Sequence, residues 1–300
     1  MPEEGVVFEK HEHILRFEEI ARVARVAAGL GVTKLRITGG EPLVRRDLPV
    51  LIEQLLAIPG IADLALTTNA VLLGRDAKAL YAAGLRRLNI HLDTLDRERF
   101  AQITRRDELE RVLEGIEAAK AAGFTHLKLN AVVVKGMTEA DIVPMARYCR
   151  ENGIEPRFIE FMPLDAQNLW DRGRVVSQED MMRMIQAEFG PIIEIPDRDP
   201  RAPASEYRYA DGGGRLGFIA SVTKPFCLNC NRLRLTSDGK LRYCLFAIEE
   251  MDVKGLLRGG ATDEEIAAVF RANVAAKWIG HEINSSKFVP PPRPMYAIGG

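Results

Sequence analysis

The chain has 300 residues, 47% hydrophobic and 28% charged, with a formal net charge of -1. That composition excludes a disordered chain, and the near-cancelling charge excludes bulk attraction to nucleic acid or to an anionic membrane surface. The N-terminus lacks the apolar core of a leader, no run is long enough to span a bilayer, and three of the four cysteines are clustered. A cytoplasmic protein with thiol-bound metal is expected rather than a disulfide framework.

From Ile14 to Glu160 helical and strand patterns alternate. The amphipathic run ILRFEEIARVARVAAGLG stops at Gly29 and Gly31, and the strand KLRIT follows at once. DLPVLIEQLLAI then precedes ADLALTT, DAKALYAAG precedes RRLNIHLD, ELERVLEGIEAAKAAG precedes HLKLNAVVV, and EADIVPMARYCRENG precedes EPRFIEF. Strands each reached through a helix predict right-handed crossovers and a parallel sheet. The economical result is a curved or barrel-like α/β domain with its site at the carboxyl ends of the strands, which read TGGEP, TTNA, LDTL, NAVV and FMPL. Cys149, inside the last of these helices, is expected to be a buried or half-buried thiol.

After Phe161 the rhythm changes. A helix is predicted at SQEDMMRMIQAEFG, a loop at IPDRDPRAPAS, and short strands at YRYA and RLGFIASV leading into PFCLNCNRLRLTSDGKLRYCLF. The helix TDEEIAAVFRANVAAK opens on Thr262 with Glu265 three residues on, the pattern of a capping box. The terminal PPPRPMYAIGG has no periodicity and is expected to fray. A first region at 1–165 and a second at 166–300 follow from this division.

Cations recur on the strands. Lys34 and Arg36 share one face of their strand, as do Arg232 and Arg234 of theirs, while Lys128 sits at the centre of a strand expected to be buried on both faces. Such cations need anions, supplied either by neighbouring carboxylates or by a ligand. A polyanion between the regions would satisfy Lys34, Arg36, Lys128, Arg157, Arg232 and Arg234 together. Cys227, Cys230 and Cys244 stand at C-x2-C-x13-C spacing, one thiolate short of a closed four-cysteine site. Zinc pinning a hairpin and an iron–sulfur cluster with an open position both fit that spacing. The glycines of TGGEP suit close backbone approach to a ligand, and equally a plain tight turn.

The segments TGGEPLVRRDL, TTNA, RRLNIHLDTL, KLNAVVVKG and RFIEFMP, the cysteine–arginine hairpin and the terminal IGG occur in that order. Over essentially its whole length the chain resembles the molybdenum cofactor biosynthesis protein A family, the radical S-adenosylmethionine GTP 3′,8-cyclases. The resemblance implies an incomplete (β/α)6 TIM-like barrel that binds S-adenosylmethionine and one 4Fe–4S cluster. It implies a C-terminal α+β region holding an auxiliary 4Fe–4S cluster on Cys227, Cys230 and Cys244, with an iron open to the guanine of GTP. It places Arg36, Thr67, Lys128 and the Arg232-Leu233-Arg234 segment at GTP, with Lys34 and Arg157 as additional cations. It places Gly40, His91 and Met162 at S-adenosylmethionine, and Gly299 and Gly300 in the active site as a catalytic tail.

The reaction so implied converts GTP to (8S)-3′,8-cyclo-7,8-dihydroguanosine 5′-triphosphate, which a cyclic pyranopterin monophosphate synthase consumes. An electron donor is implied, no nucleic acid or membrane partner is, and a homodimer is the assembly to look for. Two departures stand out. The family's C-x3-C-x2-C motif lies just before a segment like MPEEGV, and this sequence opens on MPEEGV. The first strand and the first cluster's ligands are therefore expected to be missing and the chain as written to be inactive. The rival reading is a non-catalytic GTP- or metal-binding remnant, or one part of a split protein. His91, for its part, stands where the family has a serine.

Overall fold

Each apolar helix of the first half delivers the chain to a parallel strand in the computed structural model, which describes residues 9–164, 170–196, 199–278 and 280–299. The succession is α1 (Phe17–Gly29), β1 (Lys34–Ile37), α2 (Leu48–Leu56), β2 (Asp63–Thr68), α3 (Leu73–Ala82), β3 (Arg87–His91), α4 (Arg97–Thr104), α5 (Leu109–Ala122), β4 (His126–Val133), α6 (Ile142–Glu151) and β5 (Glu155–Glu160). The second half runs α7 (Gln178–Phe189), β6 (Ile192–Glu194), β7 (Ser205–Tyr209), β8 (Arg215–Ile219), β9 (Arg234–Leu235), β10 (Lys240–Arg242), β11 (Met251–Asp252), α8 (Val253–Arg258), α9 (Asp263–Ala275) and α10 (Met295–Ile298). The capping box at Thr262 and Glu265 is present, and Cys149 is fully buried.

Eight strands form one sheet in the order β1-β2-β3-β4-β5-β8-β7-β6, and β11-β10-β9 form a separate small sheet. Strands β1 to β5 pair in parallel with their sequence neighbours, β8 adds to β5 in parallel, and β7 and β6 continue antiparallel. The sheet thus joins the two regions: β6, β7 and β8 complete what β1 to β5 begin.

Strand alternation separates the two sheet faces. Leu66, Leu88, Ile90, Leu129 and Phe158 turn toward α2, α3, α5 and α6 and form the main core. Full burial of each contributes about 1.5–3 kcal/mol. The alternate residues, among them Arg36, Thr67, Asn89, Lys128 and Arg157, share the opposite face. A parallel sheet covered by helices on both faces would carry continuous apolar runs. Here the helices cover one face only, so Lys128 is half-buried, which corrects its expected burial on both sides.

A second apolar cluster fastens the C-terminal half to α1, joining Val23 and Ala27 to Leu241, Val253, Ile266 and Phe270. A third gathers Leu164, Val222, Phe246, Ile283 and Ile298 beside the strand ends. The expected fraying of the tail is corrected by this packing. Ile298 is 2% exposed, the Met295 amide donates to the Leu164 carbonyl at 3.0 Å, and Arg293 pairs with Asp238 at 3.0 Å and with Glu250 at 3.1 Å. Gly300 lies outside the described residues. No helix among the described residues is long and apolar enough to cross a membrane.

Candidate functional site

The glycine pair after β1 is fixed by the acid that follows it. Glu41 accepts from the amides of Leu43 at 2.9 Å and Asn69 at 2.8 Å and from Thr68 Oγ1 at 2.8 Å, tying the ends of β1 and β2 together. Burial holds its carboxyl above the usual carboxylate range against those three bonds.

On the polar face the cations divide into two sets. Lys128 Nζ and Arg157 Nε both donate to Glu155 Oε1, at 2.8 and 2.9 Å, and Arg157 Nη2 donates to Glu206 Oε1 at 2.9 Å. Lys128 lies 3.6 Å from the same Glu206 oxygen, which makes a four-membered ionic network. Lys34 pairs with Asp199 at 3.6 Å, and Arg87 pairs with Asp63. Arg36, Arg232 and Arg234 have no carboxylate within ion-pair distance among the described residues; each is depressed or crowded by other cations. Burial first, and then Arg232, push the Arg234 guanidinium down to about 9, while burial and then Arg157 and Arg232 bring Arg36 to about 10. Arg36 is walled by protein yet still reachable by solvent. Arg36 and Arg234 remain charged at neutral pH, so the hairpin and β1 face each other with like charge.

Alternation within the hairpin accounts for this. Arg232 and Arg234 point one way while Leu233 turns into the apolar cluster beside α1, so only the backbone of Leu233 can meet a ligand. Arg232 also lies over the Phe226 ring, 4.9 Å from its centroid, and its Nε donates to Cys230 Sγ at 3.4 Å. Thr67 Oγ1 on β2 and Asn130 Oδ1 on β4 are buried on the same sheet face without a hydrogen-bond partner. His91 Nε2 sits 3.1 Å from Asp93 Oδ2, and that carboxylate raises the imidazole pKa. The Asp93 side chain also accepts from the Val132 amide at 2.7 Å, which fixes it to the neighbouring strand.

The tail borders both of the other predicted S-adenosylmethionine residues. Met162 and Met295 pack against the same apolar cluster, and a Cβ at Gly40 would sit 3.8 Å from the Tyr296 carbonyl oxygen. Gly299 reaches Thr38 and Gly39. The strand-end rim is therefore shared between the glycine motif and the last residues of the chain.

Cys227, Cys230 and Cys244 are free and half-buried. Burial pushes Cys227 up, and Cys244 and Cys230 add to that, so the three thiols lie within electrostatic reach of one another. Burial acts on Cys230 too, but the Arg232 guanidinium and its hydrogen bonds leave that thiol below its ordinary value. Among the described residues no three Cys, His, Asp or Glu side chains converge on a single-ion site. Three soft donors with N–H groups aimed at sulfur, from Arg232 and from the His281 amide, fit an iron–sulfur cluster. The fourth cysteine, Cys149, is sealed in the core with its thiol pushed up by burial, so these 300 residues offer no second trio of thiols.

Several residues that hold the site were not foreseen from the sequence. Glu160 is fully buried at the end of β5 and accepts from the amides of Gln178, Val222 and Thr223 at 3.1, 2.8 and 2.8 Å, fastening the approach to the hairpin. Arg242, also fully buried, pairs with Glu250 and donates to the Leu245 carbonyl at 3.1 Å. Glu155 could have been read from its place two residues before Arg157 on one strand face. Glu206 carried no local signal.

The N-terminal residues 5–149 match the profile described as Radical SAM superfamily, and residues 154–283 match Molybdenum Cofactor Synthesis C. A GTP 3′,8-cyclase from Moorella thermoacetica is 45% identical over 300 residues, covering 100% of this chain and 92% of that protein. One from Rhodopirellula baltica is 44% identical over 303 residues, covering 100% of this chain and 84% of the other. Among solved structures, Streptococcus suis SuiB bound to precursor peptide SuiA aligns with a TM-score of 0.48 at 20% identity, over 58% of this chain and 38% of that one.

Proposed function

Because the chain belongs to the GTP 3′,8-cyclase family and is thereby a radical S-adenosylmethionine enzyme of molybdenum cofactor biosynthesis, we propose that its polar sheet face and its cysteine hairpin together form the GTP site. The observation that carries this reading is the set Arg36, Arg232 and Arg234, three neighbouring guanidinium groups without carboxylate partners among the described residues. A nucleotide triphosphate relieves their mutual repulsion, and paired N–H groups match phosphate oxygens. Thr67 Oγ1 and Asn130 Oδ1 are the unpaired polar atoms beside them, suited to ribose or base. Lys128, Arg157 and Lys34 contribute as donors already balanced by acids.

Cys227, Cys230 and Cys244 hold the auxiliary 4Fe–4S cluster, and Gly40, His91 and Met162 border S-adenosylmethionine. Gly299 closes the rim, and Gly300 is assigned with it as the catalytic tail. When bound, these groups supply the iron that meets guanine and the one-electron chemistry that joins C3′ of the ribose to C8 of the base. The protein's own part is to orient the nucleotide and to neutralise its phosphates. These 300 residues supply no second trio of thiols for a cluster at the S-adenosylmethionine end. The wider assignment is an incomplete (β/α)6 barrel at 1–165, an auxiliary-cluster region at 166–300, a product passed to a cyclic pyranopterin monophosphate synthase, an electron donor, and a homodimer in the cytoplasm.

Two measurements test this. Titration calorimetry should show GTP binding that each of Arg232→Ala and Arg234→Ala weakens by at least about 1 kcal/mol. Anaerobic reconstitution should load about four irons per chain, lost when Cys227 is replaced by Ala. Zinc in place of iron, or GTP binding indifferent to both arginines, would remove the proposal.

A further inference from the structure

The ionic network on the sheet includes a carboxylate from outside the parallel strands. In the order β5-β8-β7, Arg157 is in register with Gly217, and Gly217 with Glu206. Arg157 therefore meets Glu206 across an intervening strand, and it can do so because that strand has no side chain there. A Cβ at Gly217 would already touch Arg157 Cγ at 3.5 Å, and a larger side chain would fill the crossing.

The network is electrically closed. Glu155 Oε1 and Glu206 Oε1 occupy the Nε and Nη2 positions of Arg157, and Lys128 is shared between the same two carboxylates. Two cations and two anions cancel. Among the described residues, Arg36, Arg232 and Arg234 remain without a carboxylate partner beside the same space. Placing acids beside an anion site weakens total attraction, so this arrangement sets the charge of the site rather than maximising it.

We propose that Glu206 is a specificity-determining residue for the phosphate tail of the nucleotide: by closing the Lys128–Glu155–Arg157 network across Gly217, it limits the unpaired positive charge of the site, among the described residues, to Arg36, Arg232 and Arg234. Glu206 does not touch the substrate. It acts through Arg157 and Lys128, which then meet the nucleotide as oriented donors of fixed direction and not as free charges. This inference rests on the GTP reading above.

The test is calorimetric binding of GTP and GMP, at two salt concentrations, to the wild-type chain and to Glu206→Gln, Glu206→Asp and Gly217→Val. Glu206→Gln keeps an acceptor of the same shape and removes one negative charge. It should raise the GTP-to-GMP affinity ratio about threefold or more and steepen the loss of GTP affinity with salt. Glu206→Asp should keep the wild-type ratio, while Gly217→Val, which blocks the crossing without changing charge on any residue, should move the ratio in the same direction as Glu206→Gln. Wild-type binding of GTP with an unchanged ratio in Glu206→Gln overturns the inference alone. Failure of the wild type to bind GTP overturns the functional reading and this inference with it.

Discussion

Gly299 lies directly against Thr38. A Cβ at Gly299 would stand 3.0 Å from Thr38 Cγ2, and the backbone there has a φ of +78°. The close approach and the left-handed conformation both require glycine. The Gly299 amide is held by the Met295 carbonyl at 3.1 Å. Gly299→Val should therefore lift the tail from the glycine motif and speed amide exchange across 295–299 by at least about tenfold, for a strain of roughly 1–3 kcal/mol. Exchange as slow as in the wild type would show that packing around Ile298 holds the tail unaided.

The depressed arginines give GTP binding a pH signature. Burial and neighbouring guanidinium groups push Arg234 down to about 9 and Arg36 to about 10. Only the charged forms attract the phosphates, so affinity should be flat near neutrality and fall as pH rises from 8 to 10. A bound anion stabilises the protonated guanidinium, so binding near pH 9 should take up protons. Calorimetry in two buffers of different ionisation enthalpy reads that uptake directly. Zero uptake at pH 9 would mean these two groups do not face the nucleotide.

Acid stability should depend on Glu19. Its carboxylate on α1 is bonded to Arg258 Nε at 2.9 Å, and that pair, opposed by burial, lowers its pKa to about 2. A carboxyl whose folded pKa lies below its unfolded value stabilises the fold above the unfolded value and loses that contribution as pH falls toward the folded one. The window is therefore from about pH 4.5 down to about 2. Arg258 is 38% exposed, so solvent screening reduces the effect, and Glu19→Gln should cost about 1–2 kcal/mol at pH 7 and nearly nothing at pH 2. Urea unfolding across that range checks it.

Glu160→Ala should be the most damaging of these changes to the fold. It leaves the amides of Gln178 and Val222 without their acceptor in a buried setting, and that of Thr223 at the edge of it. A loss of about 3 kcal/mol or more is expected in urea unfolding, together with poorer iron loading because the chain leading to Cys227 loses its anchor. Unfolding at the wild-type midpoint would contradict that role.

The sequence was most legible where the interactions are local. The helix–strand rhythm from β1 to β5, the capping box at Thr262 and the burial of Cys149 all follow from short-range periodicity and composition. Lys128 and Arg157 could be recognised as cations needing anions, but whether acid or ligand met them depended on register. Glu206 joins them only because β7 folds back beside β8, far from either in sequence. Strands β7 and β8 read as short pieces near the hairpin; their place in the main sheet rests on Phe158 and Phe218 stacking at 6.0 Å between centroids, a contact no local pattern announces. The tail misled for the same reason: PPPRPMYAIGG has no period of its own and is ordered by Arg293, Asp238 and Glu250. Helix α4, unforeseen, starts where Asp96 accepts from the Arg99 amide at 2.7 Å.

The continuity of the sheet across its two halves bears on how the protein is made. A ribosome that has just released β5 must still deliver residues 161–214 before β8 can cover its edge. At about 5–20 residues per second that interval lasts roughly three to ten seconds, during which an unpaired parallel edge stands open and Lys128, Glu155 and Arg157 carry an excess positive charge. Glu206, emerging shortly before β8, cancels that charge just as the edge closes.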